Sequence, residues 1–531
     1  MRYASFTWFV VFVAGCAMGG ADDSAAPSRS TALPPQQPAG IPPSATPQPS
    51  ATLTAAERVP PVTRAPGFIL SESDPLSTFG ADVDTASYDI FRRSLLLGAL
   101  PPSGQVRAED FINYFRYDYP SVELEAETPF TISLAASAHS DETRKTKLLR
   151  VGIQGAKPSE LPPVNLVFLV DVSGSMAAQN KLPLVRLVLQ ETLDELRGDD
   201  VVSIVSYASD TRVRLSNTEV RNRADIEAVI GRLEAAGGTN GGAGIQLAYA
   251  EAAKGFREEG TNHIVLCTDG DFNLGVTSNE ELVELIKQKR QSGVTLTALG
   301  FGERNNDLMM ERVSNAGNGI YSVLYNEDQA IAYAHQRLLA TMLHIAKDVK
   351  IQVELNPERV YAYRLIGYED RAIADAQFRN DRVDAGEIGA GHSVTALYEL
   401  ALDPEDLPEG MTPSSRQKSS SVAPEIGADD LVLVKIRWKK PGAASSDPAS
   451  EVSAAFKDDA IATDLEGLEP DARWAIGVAR LAEVLRGSQF ASRSELPRIR
   501  ELLEGLTDGR AEREELVSLL PQVEKLTVGR R

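Results

Sequence analysis

The sequence predicts an α/β fold class, in which a doubly wound, mainly parallel sheet is inserted in a β-rich flanking domain and followed by a C-terminal helical segment. Between residues 161 and 345, short apolar strands alternate with helical stretches. Strands without helices between them lie on both sides of that region, and apolar residues return at helical spacing after residue 471. The chain has 531 residues, more than a single core holds, so several domains are expected.

The first 15 residues have the composition of a signal peptide. Arg2 precedes an apolar stretch that is too short to cross a bilayer. Val13, Ala14 and Gly15 in front of Cys16 resemble the bacterial lipobox, which implies cleavage before Cys16 and acylation of that cysteine. A diacylglycerol with an added N-acyl chain exceeds the two signals that stable anchoring requires. We therefore expect lipidation at Cys16; a secretory peptide that happens to contain a cysteine is the alternative.

This expectation places the protein in the bacterial cell envelope, lipid-anchored on an extracytoplasmic side. The lipobox resemblance also implies outer-membrane sorting in a cell with two membranes, because Ala17 follows the cysteine. Residues 16–66 are rich in Pro, Ala and Ser and contain few large apolar residues, so they are predicted to be a disordered tether.

An N-terminal flanking domain is predicted over residues 67–160. Two helices, at 85–98 and 107–115, have apolar faces and turn residues at their ends, and strands follow at 130–136 and 147–154.

The central domain is predicted over residues 161–345. It opens with an apolar strand at 164–170 and ends with a helix at 328–344. The other predicted strands are 201–207, 264–269, 294–301 and 320–323, and the other predicted helices are 182–196, 224–233, 243–256, 279–289 and 307–315.

The remaining chain divides into a β-rich flank at 346–440 and a helical segment at 441–531. Strands are predicted at 349–355, 360–366, 394–402 and 431–438. We expect them to join the strands before the central domain in one antiparallel sandwich, into which the central domain is inserted.

Oxygen-bearing side chains follow three segments of the central domain. Asp171, Ser173 and Ser175 alternate with small or apolar residues after the first strand, Thr239 lies in a glycine-rich loop, and Asp269 ends another buried strand. Loops at the carboxyl ends of neighbouring parallel strands converge on one crevice. Carboxylates and hydroxyls are hard ligands that suit Mg²⁺ or Mn²⁺.

These three segments, in this order, resemble the metal-ion-dependent adhesion site (MIDAS) of von Willebrand factor type A (VWA) domains. The resemblance implies that Asp171, Ser173, Ser175, Thr239 and Asp269 are the metal ligands, directly or through water. Related bacterial chains often have Ser just before the Thr, where this chain has Gly238. The flanking segments resemble those of a group of bacterial VWA lipoproteins.

Three classes of function remain open from the sequence. The first is a metal-dependent protein-binding module without enzymatic activity, in which a partner's Asp or Glu carboxylate completes the coordination of the metal. The second is a metal-assisted hydrolase of the cell envelope, for which Asp271 is the nearby candidate base. The third is a structural envelope lipoprotein in which the metal only ties loops together. The net charge of -21 argues against nucleic acid as a partner.

Overall fold

A computed structural model of the chain describes residues 65–81, 84–123, 128–141, 143–157, 162–239, 241–270, 279–303, 305–381, 385–415, 425–443 and 447–528. The predicted signal peptide, Cys16 and nearly all of the predicted tether lie outside these ranges. No helix in the described ranges is both long enough and apolar enough to span a bilayer.

The N-terminal flank consists of two short strands, then two helices, then two longer strands. Its elements are β1 (Ile69–Leu70), β2 (Leu76–Gly80), α1 (Ala86–Leu96), α2 (Ala108–Asn113), β3 (Phe130–Ala138) and β4 (Lys147–Gly155). Tyr88 and Phe91 of α1 pack with Phe111 of α2 in one buried cluster. The aromatic residues at helical spacing thus explain why both helices form.

The central domain consists of six strands and their connecting helices. Its elements are β5 (Val164–Asp171), α3 (Leu182–Glu195), β6 (Val201–Tyr207), β7 (Thr211–Glu219), α4 (Arg223–Gly231), α5 (Gly241–Lys254), β8 (Thr261–Thr268), α6 (Asn279–Arg290), β9 (Thr295–Phe301), α7 (Asp307–Ala316), β10 (Tyr321–Leu324), α8 (Glu327–Tyr333), a π-helical turn (Ala334–Leu338) and α9 (Leu339–Met342). The strands are ordered β10-β9-β8-β5-β6-β7, and all neighbours are parallel except the pair β6 and β7.

This strand order places β5 at the point where the chain reverses direction across the sheet. The chain goes from β5 to β6 on one side and later returns to β8 on the other. Side chains of β5 are buried on both faces, with Phe168 and Val170 in one core and Val167 and Leu169 in the other. Burial on both faces accounts for the continuous apolar run of this strand. The crevice at such a reversal point is where open α/β sheets bind ligands.

Two mainly antiparallel sheets flank the central domain and pack into a sandwich, with a parallel pair only between β3 and the short β17 among the described strands. The strands after the central domain are β11 (His344–Leu355), β12 (Ala362–Ile366), β13 (Gly386–Gly389), β14 (Ser393–Ala401), β15 (Val432–Lys439), β16 (Ser450–Phe456) and β17 (Ile461–Ala462). One sheet has the order β1-β12-β14-β4-β3-β17, and the other has β13-β11-β15-β16 with β2 beside β11. β4, which precedes the central domain, pairs with β14, which follows that domain. The chain therefore leaves the sandwich after β4, forms the central domain and returns to the sandwich at β11.

Three helices end the described chain: α10 (Pro470–Arg486), α11 (Leu496–Glu504) and α12 (Ala511–Val528). Trp474, Val478 and Leu481 of α10 share a buried cluster with Leu148 of β4 and Leu397 of β14. The apolar stripe of this helix is therefore core that covers the outer face of the sandwich.

The structure corrects two boundaries. The helix expected over 328–344 ends at Met342, and His344 begins β11 because it pairs with Gly389 of β13. The segment 441–531 is not helical throughout, because Ser450–Phe456 form a strand paired with β15 and the first long helix begins at Pro470. Short polar strands at sheet edges carry little apolar periodicity, so the sequence pattern missed them.

Candidate metal centre

The loop after β5 positions one carboxylate and two hydroxyls. Asp171 is the last residue of β5, and its Oδ1 accepts a hydrogen bond from the backbone N–H of Ser173 at 2.8 Å. The Oγ atoms of Ser173 and Ser175 lie 3.0 Å apart. The alternation of polar and small residues in this loop therefore brings both hydroxyls to the same side of it.

The glycine-rich loop that carries Thr239 is joined to the β5 loop through the backbone. The N–H of Gly174 donates to the carbonyl oxygen of Gly237 at 3.0 Å, and the N–H of Ala236 donates to that of Val172 at 2.8 Å. Gly237 has a φ of 82°, a conformation that favours glycine. Gly237 thus contacts the Ser173–Ser175 loop, and Thr239 follows it two residues later in the chain.

Asp269 directly follows β8, the strand next to β5. The preceding residue, Thr268, donates its hydroxyl to Oδ2 of Asp171 at 3.0 Å and accepts a hydrogen bond from the N–H of Gly270 at 3.2 Å. Thr268 thus connects the two loops that carry the carboxylates. No motif in the sequence indicates this role for Thr268.

The two carboxylates and Ser173 are buried, whereas the other two hydroxyl-bearing residues are more exposed. Asp171 is fully buried and Asp269 is 2% exposed, whereas Thr239 is half-buried and Ser175 is exposed. Burial raises the pKa of Asp171 above its usual value, and the negative charge of Asp269 adds to this effect, although hydrogen bonds from Ser173 and Thr268 oppose it. The negative charge of the site is therefore buried, and the hydroxyls of Thr239 and Ser175 lie closer to the protein surface.

A cationic side chain contacts the same loops. Nζ of Lys181 donates to Oδ2 of Asp269 at 2.9 Å and to the backbone carbonyl oxygen of Ser175 at 3.1 Å. The lysine was not singled out in the sequence, because it lies six residues beyond Ser175 and outside the ligand motif.

The donor set fits a small divalent cation. Oxygen ligands next to each other around octahedral Mg²⁺ lie about 3.0 Å apart, since each is about 2.1 Å from the ion, and the two serine Oγ atoms are 3.0 Å apart. The ammonium group on Asp269 shows that this crevice accepts positive charge. Within the described part of the chain, no three His, Cys, Asp or Glu side chains are grouped as metal ligands, so the candidate centre depends on its hydroxyls.

The structure brings together the loops of all five predicted ligands. Ser173, Ser175, Asp171 and Asp269 are linked by the contacts above, and Thr239 follows the loop bonded to Gly174. The candidate base Asp271 lies outside the described residues, as does the lipidation candidate Cys16.

Three family models match the chain. A von Willebrand factor model matches residues 62–150, the von Willebrand factor type A domain model matches residues 165–335, and a model described as the C-terminal part of uncharacterized protein YfbK matches residues 340–526.

Curated proteins and solved structures are also similar to the chain. The uncharacterized protein YfbK of Escherichia coli is 37% identical over 436 residues, which cover 81% of this chain and 74% of that protein. The uncharacterized protein sll0103 of a Synechocystis strain is 32% identical over 197 residues, which cover 37% of this chain and 46% of that protein. A von Willebrand factor type A structure from Catenulispora acidiphila has a TM-score of 0.43 at 16% identity, and covers 76% of this chain and 91% of its own.

The doubly wound sheet, the loops at its reversal point and the matching family model define the central domain as a von Willebrand factor type A domain, a class that typically mediates metal-dependent protein interactions. The predicted fold class is thereby confirmed. The chain belongs to the family of Escherichia coli YfbK, because the match extends over both flanks as well as the central domain.

Proposed function

We propose that this protein is a membrane-anchored module of the bacterial cell envelope that binds partner proteins through a divalent metal. Asp171, Ser173, Ser175, Thr239 and Asp269 would hold Mg²⁺ or Mn²⁺. When bound, the metal would supply a Lewis-acidic position for an Asp or Glu carboxylate of the partner. The protein would serve as an adhesion or assembly scaffold.

The convergence of three loops at one edge of the sheet is the observation that carries this proposal. The buried carboxylates of Asp171 and Asp269 provide negative charge below the protein surface, and the exposed Ser175 leaves the site open to a partner. Two carboxylates and three neutral hydroxyls among five ligands leave one position of an octahedral ion open to an oxygen ligand from outside.

Helix α1 of the N-terminal flank contacts the central domain at one edge of its sheet, and this leaves the middle of the sheet to carry the binding loops. Arg93 of α1 forms an ion pair with Asp307 at 2.8 Å, and Asp89 of the same helix accepts a hydrogen bond from the backbone N–H of Val323 at 3.3 Å. These contacts lie along α7 and the edge strand β10. The loops after β5 and β8 are carried by the middle of the sheet.

Anchoring through Cys16 belongs to the same proposal and rests on the sequence alone. The Cys16→Ser variant is expected to leave the membrane fraction, and unchanged partition of that variant would contradict lipidation.

Metal-dependent capture tests the binding function. The full chain is immobilised and exposed to detergent-solubilised envelope proteins with Mg²⁺ or with EDTA. Thr239→Ala removes a neutral ligand without removing charge, so captured proteins should decrease while the melting temperature in EDTA stays near that of the wild type. Thr218→Ala, at a half-buried position on β7, is the matched control and should capture normally.

Two outcomes would contradict the proposal. Capture that is equal in Mg²⁺ and EDTA would remove the role of the metal. The same preparations are also assayed with generic peptide and phosphate-ester substrates. Metal-dependent turnover that is lost in Asp271→Ala would favour the hydrolase over a binding module.

A further inference from the structure

Lys181 lies at the N-terminal boundary of α3 and extends over the candidate metal centre. Its ammonium group bridges Oδ2 of Asp269 and the carbonyl oxygen of Ser175, at 2.9 and 3.1 Å. The side chain is 20% exposed, whereas that of Asp269 is 1% exposed. The positive charge is therefore next to the ligands and still reachable from solvent.

The stem of Lys181 packs against a glycine in the loop after β9. Gly302, just after β9, has a φ of 90°. A Cβ atom at Gly302 would lie 2.9 Å from Cε and 3.2 Å from Cγ of Lys181, so a side chain there would displace the stem of the lysine. The stem of Lys181 thus fills space that a glycine leaves open, and the residue contacts the loops after β5, β8 and β9.

The position of Lys181 changes the charge of the centre. The carboxylates of Asp171 and Asp269 together with the ammonium of Lys181 leave one negative charge among these three residues. A divalent ion would reverse this to one positive charge, which one incoming carboxylate would neutralise. If residue 181 were uncharged, the same ion would bring the net charge of the centre to zero. An incoming carboxylate would then give the centre one negative charge.

We propose that Lys181 is a specificity-determining residue that weakens divalent-metal binding and strengthens the capture of one partner carboxylate by the loaded centre. This inference rests on the proposed binding function. Its physical basis is that the charge of Lys181 lies within a few ångströms of the ligands, where it repels a divalent cation and attracts a carboxylate.

A purely structural lysine would behave differently. If Lys181 only tied three loops together, its replacement would loosen the ligands and weaken binding of both metal and carboxylate. The electrostatic role predicts changes in opposite directions, so the two roles can be separated with one variant.

The first measurement is calorimetric titration of Mn²⁺ into the metal-free full chain. Lys181→Gln keeps most of the length and a donor for Asp269 but removes the charge. We expect it to bind Mn²⁺ about tenfold more tightly than the wild type, or tighter still. Lys181→Arg keeps the charge and should remain near the wild type. Lys254→Gln removes a lysine paired with Glu251 at the far end of α5 and controls for net charge.

The second measurement uses acetate as the carboxylate probe. Mn²⁺ bound to the protein enhances the relaxation of water protons, and acetate that replaces bound water lowers this enhancement. At constant ionic strength with chloride, the Lys181→Gln protein should need about tenfold more acetate than the wild type for the same decrease.

The outcomes are distinguishable. Tighter Mn²⁺ binding together with a weaker acetate response in Lys181→Gln supports the proposal. Unchanged or weaker Mn²⁺ binding, or an acetate response equal to that of the wild type, overturns the role of Lys181 alone. A wild-type protein whose bound Mn²⁺ does not respond to acetate at all contradicts carboxylate capture, and with it the proposed function on which the inference rests.

Discussion

Thr268 fixes the carboxylate of Asp171 from the neighbouring strand. Its hydroxyl donates to Oδ2 of Asp171 at 3.0 Å, while the N–H of Ser173 donates to Oδ1 at 2.8 Å. Both oxygens are thereby oriented, and Thr268 is fully buried. Groups that orient a metal ligand commonly matter nearly as much as the ligand.

Thr268→Val should weaken metal binding while keeping the shape of the core. The variant removes the hydroxyl that orients Asp171, so we expect the Kd for Mn²⁺ to rise roughly ten- to a hundredfold. Thr192→Val is the matched control, because Thr192 is equally buried and its hydroxyl donates to the carbonyl oxygen of Val188 within α3. Calorimetry that gives equal Kd values for both variants would show that Thr268 does not position the ligand.

Residue types in the sequence predict a candidate set of ligands but not the groups that contact them. Asp171, Ser173 and Ser175 stand at alternate positions of one loop, so their shared direction can be predicted locally. Lys181 and Thr268 reach the centre only because β8 lies beside β5, and β9 beside β8, in the sheet. A lysine at the start of a helix and a threonine at the end of a strand carry no local signal of that contact.

The loop before α5 illustrates how a single element brings its ligand to the centre. Gly237 has a φ of 82°, and a Cβ atom there would lie 2.6 Å from Oγ of Ser209. Gly238 does not have a positive φ, and a Cβ atom there would be 3.6 Å from the same Oγ, an ordinary contact. The two adjacent glycines therefore have different reasons to be glycine.

Alanine at each of these positions should have opposite effects. Gly237→Ala is expected to destabilise the domain by about 1–3 kcal/mol, because a side chain is strained in the left-handed region and would meet Ser209. Gly238→Ala should be neutral or stabilising by about 0.4–1 kcal/mol, because it restricts the unfolded chain. Urea unfolding of both variants is the measurement, and equal losses of stability would contradict the local geometry.

Strands buried on both faces were predicted well, and edge elements were not. β6 has the predicted bounds because all its residues are buried and most are apolar, with only Ser203 and Ser206 between them. β7 was missed, since its exposed residues are mostly Arg, Ser and Asn and it is an edge strand that pairs with β6. Pairing across the sheet, rather than local apolar pattern, decides such strands.

At the scale of the whole molecule, buried charged residues connect elements that are far apart in the sequence. Arg364 of β12 is fully buried and donates to Glu399 of β14 and Glu483 of α10, each at 2.8 Å. Burial opposes ionisation of Glu399, but Arg364 and Arg144 outweigh it and lower the pKa of Glu399 to about 2. This network joins the sandwich to the C-terminal helices.

Four histidines are held neutral by burial. Burial lowers the pKa of His139 and of His263 to about 3, and that of His344 and of His392 to about 4. Below about pH 6.5 the unfolded chain therefore binds more protons than the folded one at these sites, and stability falls as the pH falls towards 4. Glu109 opposes this trend, because burial raises its pKa to about 8 and its contribution is largest below pH 4.5.

His263→Gln should reduce the acid sensitivity of the protein. Each buried neutral histidine costs about 1.4 kcal/mol per pH unit below 6.5, so the loss of stability between about pH 7 and pH 5 should shrink by about 2 kcal/mol. Urea unfolding at both pH values measures this loss.

His335→Gln is the opposite control. Hydrogen bonds to Glu195 and Glu191 raise the pKa of His335, so its contribution to stability is present below pH 6.5 and is lost as the pH rises. Its removal should steepen the loss on acidification. Identical pH dependence in His263→Gln and the wild type would contradict the neutral, buried state of His263.

The central claim is that the three loops form a divalent-metal site, and thermal unfolding of the full chain in EDTA and in Mn²⁺ tests it most directly. A ligand that binds only the folded state stabilises it by about 2.7 kcal/mol at a hundredfold excess over Kd, so the wild-type melting temperature should rise with Mn²⁺. Asp171→Asn should show no rise, whereas Asp200→Asn, whose carboxylate contacts Val164 at the other end of β5, should keep it. A wild-type melting temperature that is the same in EDTA and Mn²⁺ would contradict the metal site.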